Sequence, residues 1–97
     1  GAEVYFNKEN SVGKAFAENL QKSILELDSI SKCRLDSTKL FMTCDILAPS
    51  VIVECGFLSN CDDEKMLCDK NFQLKFCKKI CSATIETLSK NVGTNAI

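Results

Sequence analysis

The stretch Pro49-Ser-Val-Ile-Val-Glu-Cys-Gly-Phe-Leu-Ser-Asn60 decides how this chain is read. Its β-branched run Val51-Ile52-Val53 suits a strand, predicted over Ser50–Glu54. Pro49 fits the strand entrance, where no ladder donor is required. The run stops at a carboxylate, Glu54, and Gly56 next permits a sharp turn. A charge at the end of a buried strand is costly unless it is solvated, paired or put to use. Glu54 is therefore a candidate catalytic or binding carboxylate. Asn60 is placed to cap a short helix reaching about Cys68, with Asp62, Asp63 and Glu64 in the first turn, where negative charge suits the helix dipole. Those three acids also suggest a cation site, but capping explains them more simply.

Working outward, Ala2–Phe6 alternates as a short strand. Val12, Phe16, Leu20, Ile24 and Leu27 recur every three or four residues and predict an amphipathic helix, capped by Asn10 or Ser11 and ending near Asp28 to Ser31. Residues 31–37 read as a polar loop containing Arg34, and Lys39–Cys44 as a strand. The short connection Asp45–Pro49 makes that strand and Ser50–Glu54 antiparallel neighbours or non-neighbours, because a parallel crossover needs a dozen or more residues. A second helix from about Asn71 carries Phe72, Phe76, Ile80, Ala83 and Leu88 on one face, with Cys77 and Cys81 beside them as core packing. Lys75, Lys78 and Lys79 form its solvated face, and the tail from Asn91 is expected to fray. Phe57, just past a strand end, reads as core or as the lining of a groove. The order of elements predicts an α/β class, a small mixed sheet flanked by helices.

With 97 residues, 45% hydrophobic and 26% charged, the chain suffices for one small domain with a single core. A net charge of −1 leaves no basic excess for nucleic acid or anionic lipid. No apolar run approaches the ~18–20 residues of a membrane span. The N-terminus lacks the basic and apolar regions of a signal peptide, and the chain reads as a processed piece or a fragment. Seven cysteines cannot pair off fully, and no Cys-x-x-Cys pair occurs. In so aliphatic a chain, most of them read as small buried hydrophobes. There is no histidine. That excludes Cys-His and Ser-His-Asp catalysis and any His-containing metal site within the chain.

The Glu-x-Gly-Phe-Leu-Ser-Asn wording of residues 54–60 closely resembles a signature of zinc-dependent N-acetylmuramoyl-L-alanine amidases of type 3, which are spore and cell-wall hydrolases. Gly1–Phe6 resembles the family's Gly-Ala-Glu-Val-Phe-Tyr strand. The helix Lys14–Leu27, Leu40-Phe41-Met42 and the final helix continue the match. The resemblance covers essentially the whole chain, but only the C-terminal part of the family's three-layer α/β catalytic domain, so residues 1–97 are expected to form a single partial domain.

The resemblance implies several expectations. The family's catalytic glutamate falls on Glu54, which would act as general base toward the attacking water and then pass the proton to the leaving amine. Zinc, which lowers the water's pKa and polarises the carbonyl, is held in the family by two histidines and a glutamate upstream of this region. No metal ligand is therefore expected in this chain, and the isolated chain is expected to be inactive. Arg34 lies where the family often carries Arg-Gly, although Leu35 replaces the glycine, and is a candidate substrate contact. Peptidoglycan is the implied substrate and an extracytoplasmic, cell-wall setting the implied location. The domain's N-terminal half or a separate protein is an implied partner. Rival readings are a non-catalytic relic or interaction module that binds glycan or protein, and a cysteine-rich metal or redox module. Loss of the family's first strands is also expected to leave a sheet edge unpaired, which invites association.

Overall fold

In the computed structural model, which describes residues 1–38 and 48–95 and the side chains only as far as residue 90, Ala2–Phe6 forms the central strand β1. Its alternation is strict: Ala2, Val4 and Phe6 are buried, while Glu3 and Tyr5 point to the opposite face. Cys33–Ser37 (β2) pairs with it in parallel, Ala2 opposite Cys33 and Phe6 opposite Ser37. Val51–Glu54 (β3) pairs on the other side, antiparallel, with Phe6 opposite Val51 and Glu3 opposite Glu54. The sheet is thus mixed, in the order β2-β1-β3. Among the described residues, the outer edges of β2 and β3 have no partner strand.

The crossover from β1 to β2 is the helix α1, Ser11–Leu25. The Asn10 side chain caps it by accepting from Gly13 N–H at 2.8 Å, satisfying a donor the first turn leaves free. Ala17, Leu20 and Ile24 are fully buried against the sheet. The helix stops three residues before Asp28. Turn bonds from Leu27 N–H to the Ile24 carbonyl and from Ile30 N–H to the Leu27 carbonyl then carry Leu27 and Ile30 into the core. The side-chain amide of Gln21 donates to the Cys33 carbonyl at 2.8 Å, fixing where β2 begins.

Two sequence expectations are corrected here. Residues 33–37 form a strand, not a loop, because parallel pairing with β1 satisfies their backbone and buries Cys33 beside Ala2. The strand expected over Lys39–Cys44, and with it the relation of that strand to Ser50–Glu54, lies outside the described residues.

Cys61–Cys68 forms α2, capped by Asn60, and Lys70–Asn95 forms α3, so helix continues where fraying was expected. Phe72, Phe76 and Ala83 are buried, and the Phe72 and Phe76 rings lie 5.5 Å apart. The expected stripe is displaced at its end. Thr87 is buried and Leu88 is exposed. The Thr87 hydroxyl donates to the Ala83 carbonyl at 2.8 Å and accepts from the Asn19 amide of α1 at 2.9 Å, so its burial leaves no unmet polar group. Most cysteines depart from expectation too. Cys33 is buried and Cys55 half-buried, but Cys61, Cys68, Cys77 and Cys81 are exposed. Among the described residues, no helix is long and apolar enough to cross a membrane.

Candidate functional site

Glu54 ends β3 on the face of the sheet away from α1. In an antiparallel ladder, directly opposed residues share a face, so the Glu54 side chain stands beside that of Glu3. Glu3 in turn is in register with Arg34 on β2. Arg34, Glu3 and Glu54 therefore form one row across three strands, about 10 Å from end to end at ordinary strand spacing. Like charges directly opposed across strands are unfavourable. Arg34 offsets the pair: its Nη1 lies 3.8 Å from Glu3 Oε1, and its Nη2 donates to Asp36 Oδ2 at 2.7 Å. Tyr5, the next outward residue of β1, donates its hydroxyl to Glu3 Oε2.

The electrostatics follow from these contacts. The Glu3 hydrogen bond raises the Tyr5 phenol above its usual value, with burial and the charges of Glu3 and Glu54 acting in the same direction. Hydrogen bonding to Arg34, and then to the Ser37 N–H, holds Asp36 below the usual carboxylate range. Arg34 is raised chiefly by the Asp36 hydrogen bond. Its side chain is 63% exposed, and its charge is already engaged by two carboxylates.

Behind Glu54 the chain turns sharply, and the turn is clamped from both ends. Asn60 Oδ1 accepts from the N–H groups of Asp62 and Asp63, each at 3.0 Å, while Asn60 N–H bonds back to the Phe57 carbonyl at 3.0 Å. Asp63 Oδ2 accepts from Phe57 N–H at 3.0 Å, and the Gly1 amino nitrogen lies 3.3 Å from both Asp63 oxygens. The Phe57 N–H is the main reason the Asp63 carboxyl lies below its usual range, ahead of the Gly1 ammonium and against the effect of burial. Asp63, read from sequence as one of three capping acids, thus ties α2, the turn and the start of β1 together. Asp62 and Glu64 remain exposed. Gly56 does not adopt a left-handed backbone, and a Cβ there would meet the Asp63 carboxylate at an ordinary 3.4 Å. Neither a left-handed φ nor a forbidding close approach singles out glycine at this position. Phe57 is 42% exposed, on the surface and not in the core. Burial raises the Cys55 thiol, with Cys77 a lesser cause.

The structure brings Glu54 and Arg34 onto one face, with Glu3 between them. Sequence reasoning passed over Glu3 and Tyr5, although the alternation of Ala2–Phe6 already set them opposite Ala2, Val4 and Phe6. Zinc, which the resemblance implies, does not fit the residues present. Among the described residues, no three His, Cys, Asp or Glu side chains cluster so as to hold a metal ion, and the chain has no histidine.

Comparison with known proteins follows the same outline. The catalytic domain of CwlV, an N-acetylmuramoyl-L-alanine amidase from Bacillus (Paenibacillus) polymyxa var. colistinus, superposes with a TM-score of 0.81 at 27% identity, covering 92% of this chain and 49% of that one. The CwlD amidase from Clostridioides difficile, solved in complex with the GerS lipoprotein, gives 0.84 at 27% identity, covering 92% and 46%. AmiC2 of Nostoc punctiforme shares the fold with a TM-score of 0.82 at 24% identity, covering 92% and 48%. The chain therefore spans about half the length of these solved relatives. A search of curated proteins gave no match. The family model for N-acetylmuramoyl-L-alanine amidase matches residues 1–86, nearly the whole chain, and this protein belongs to that family.

Proposed function

We propose that this chain supplies the acid/base half of a peptidoglycan amidase that cleaves the amide between N-acetylmuramic acid and L-alanine, with Glu54 as the catalytic residue. The observation that carries the proposal is the position of Glu54. It is a half-buried carboxylate at a strand end, on the open face of the sheet, backed by a turn that Asn60 and Asp63 hold rigid. A carboxylate so placed takes a proton from an attacking water and returns it to the leaving amine. Arg34 is proposed to contact substrate from the other end of the row. Its engagement with Glu3 and Asp36 limits it to orienting a neutral or hydrogen-bonding group. Residues 1–97 are proposed as one part of the catalytic domain, acting outside the cytoplasm on cell-wall material. Its partner is the domain's other half or, by analogy with CwlD and GerS, a separate protein.

The test is digestion of purified muropeptides, with released stem peptide measured by mass spectrometry. A protein joining this chain to the upstream half of the family domain should release peptide, and Glu54→Gln should lower the rate by about 100-fold or more. Equal rates for the two would remove Glu54 from the mechanism. The isolated chain should release none, and metal-dependent release by it would show that the ligand argument is wrong. A second reading, a non-catalytic module that binds glycan or protein, is favoured by the lack of histidine. Peptidoglycan binding by the joined protein without any turnover would select it.

A further inference from the structure

The open face of the sheet holds more acceptors than donors, and the shortage falls on one residue. Its six strand positions are Glu3, Tyr5, Arg34, Asp36, Ile52 and Glu54. Three are carboxylates, and only the side chains of Tyr5 and Arg34 can donate. Both donors are spent away from Glu54. The Tyr5 hydroxyl goes to Glu3 Oε2, and the Arg34 guanidinium lies 3.8 Å from Glu3 Oε1 while donating to Asp36 at 2.7 Å. Glu3 is thereby held at both oxygens, with its side chain 17% exposed. Glu54, directly opposite it on β3 and half-buried, makes no hydrogen bond or ion pair among the described residues.

Distance alone does not dictate that division. Glu3 stands between Arg34 and Glu54, one strand spacing from each. Tyr5 is diagonal to Glu54 across the β1–β3 pair, within the reach of an aromatic side chain, and its phenol already responds to the Glu54 charge. With no carboxylate at position 3, two acceptors would be left on this face. Asp36 is already supplied at both oxygens, by Arg34 and by the Ser37 N–H, so the free one would be Glu54. A general base works through the lone pairs it offers the attacking water. A carboxylate whose oxygens accept from fixed donors on the sheet offers fewer of them and is the weaker base. Glu3 also carries a charge of the same sign, so nothing attracts Glu54 down onto the row. Leaving a half-buried acid without a partner does nothing for the fold, whereas it suits a group that must meet water.

We infer that Glu3 is a positioning residue for the amide hydrolysis: by engaging the donors of the open face, it leaves the Glu54 carboxylate free to take the proton of the attacking water. The inference rests on the reading of Glu54 as the acid/base residue, and its test separates the two. In the joined domain, Glu3→Gln removes the charge and adds an amide donor beside Glu54. It should lower kcat about 10-fold or more with KM nearly unchanged. Glu3→Asp, which keeps the charge and the acceptors, should hold kcat within about threefold. Tyr5→Phe should do the same, because it removes a donor and leaves Glu3 charged. A residue that merely held the strands together would show comparable losses for Glu3→Gln and Tyr5→Phe, which break the same hydrogen bond. A readout free of turnover comes from the 97-residue chain labelled with carbon-13 at its glutamate side-chain carboxyls, the Glu54 resonance being assigned by Glu54→Gln. That resonance should move in Glu3→Gln and stay in Tyr5→Phe. Full turnover by Glu54→Gln would defeat the reading of the base, and this inference with it. With Glu54→Gln inactive, this inference alone would be overturned by an unchanged kcat in Glu3→Gln, by an equal loss in Glu3→Asp or Tyr5→Phe, or by a Glu54 resonance that Glu3→Gln does not move.

Discussion

The two faces of the three-stranded sheet are built from the same few residues and do different work. Toward α1, Ala2, Val4, Phe6 and Cys33 are buried, with Val51 and Val53 packed against them. Away from it stand Glu3, Tyr5, Arg34 and Asp36, joined by ion pairs and hydrogen bonds, with Ile52 and Glu54 of β3 beside them. Alternation along a strand is what permits this division, because neighbouring residues never share a face. Changes on one face should therefore leave the property carried by the other nearly untouched. That separation can be broken or sharpened by experiment.

The largest effect is expected at Glu54. In the joined domain, Glu54→Gln should lower turnover by about 100- to 10,000-fold while leaving the thermal midpoint unchanged. A parallel loss of stability would mean the open face also holds the fold. Next comes Leu20→Ala in α1, fully buried beneath the other face, which should cost about 3 kcal/mol in denaturant unfolding. Asn60→Ala removes a cap that serves two N–H groups and should cost about 1 kcal/mol. In the joined domain it should also slow turnover, because the turn behind Glu54 loosens. An Asn60→Ala variant with full activity would separate the turn from the chemistry.

The smallest expected effect is one of pH. The Asp63 carboxyl lies below its ordinary value in the folded chain. Its contribution is complete above the ordinary Asp range and is lost as the pH falls through the lower folded value. The thermal midpoint should accordingly decline on acidification, and Asp63→Asn should flatten that decline. Asp36 is also depressed, but its exposed ion pair with Arg34 is screened by solvent, so its share should be minor. An acid limb unchanged by Asp63→Asn would show that the clamp is not electrostatic.

Much of this was legible in the sequence wherever one local signal acted alone. The alternation of Ala2–Phe6, the β-branched run before Glu54 and the Asn10 and Asn60 caps all stand where their chemistry put them. What was not legible depended on a distant partner. Cys-Arg-Leu-Asp-Ser has weak strand character, and becomes β2 through pairing with β1. Thr87 can be buried although polar because Asn19, far away in sequence, supplies its hydrogen bond, while Leu88, one residue on, lies about 100° round the helix from that face. Cys77 and Cys81 sit on α3 as a hydrophobic residue would, yet hydrophobicity alone does not say which side of a helix has a neighbour. The resemblance located Glu54, but the Arg34–Glu3–Glu54 row required the strand register.

The bond between Asn19 and Thr87 has one more consequence. It is a directional contact inside the seam between α1 and α3, which also carries the ion pair of Lys79 with Glu26 at the end of α1, and it works as a register pin. If α3 slid by one turn, about 5.4 Å, Asn19 would face Ala83, whose side chain can accept nothing, and Thr87 would lose its α1 donor. Helix pairs held by aliphatic contacts alone tolerate such slippage, whereas this pair has a single indexed setting. The start of α3 follows α2 through Asp69 alone, and α2 leads back through Asp63 to the turn behind Glu54. A pin far from Glu54 thus helps to index the end of the sheet where the carboxylate stands.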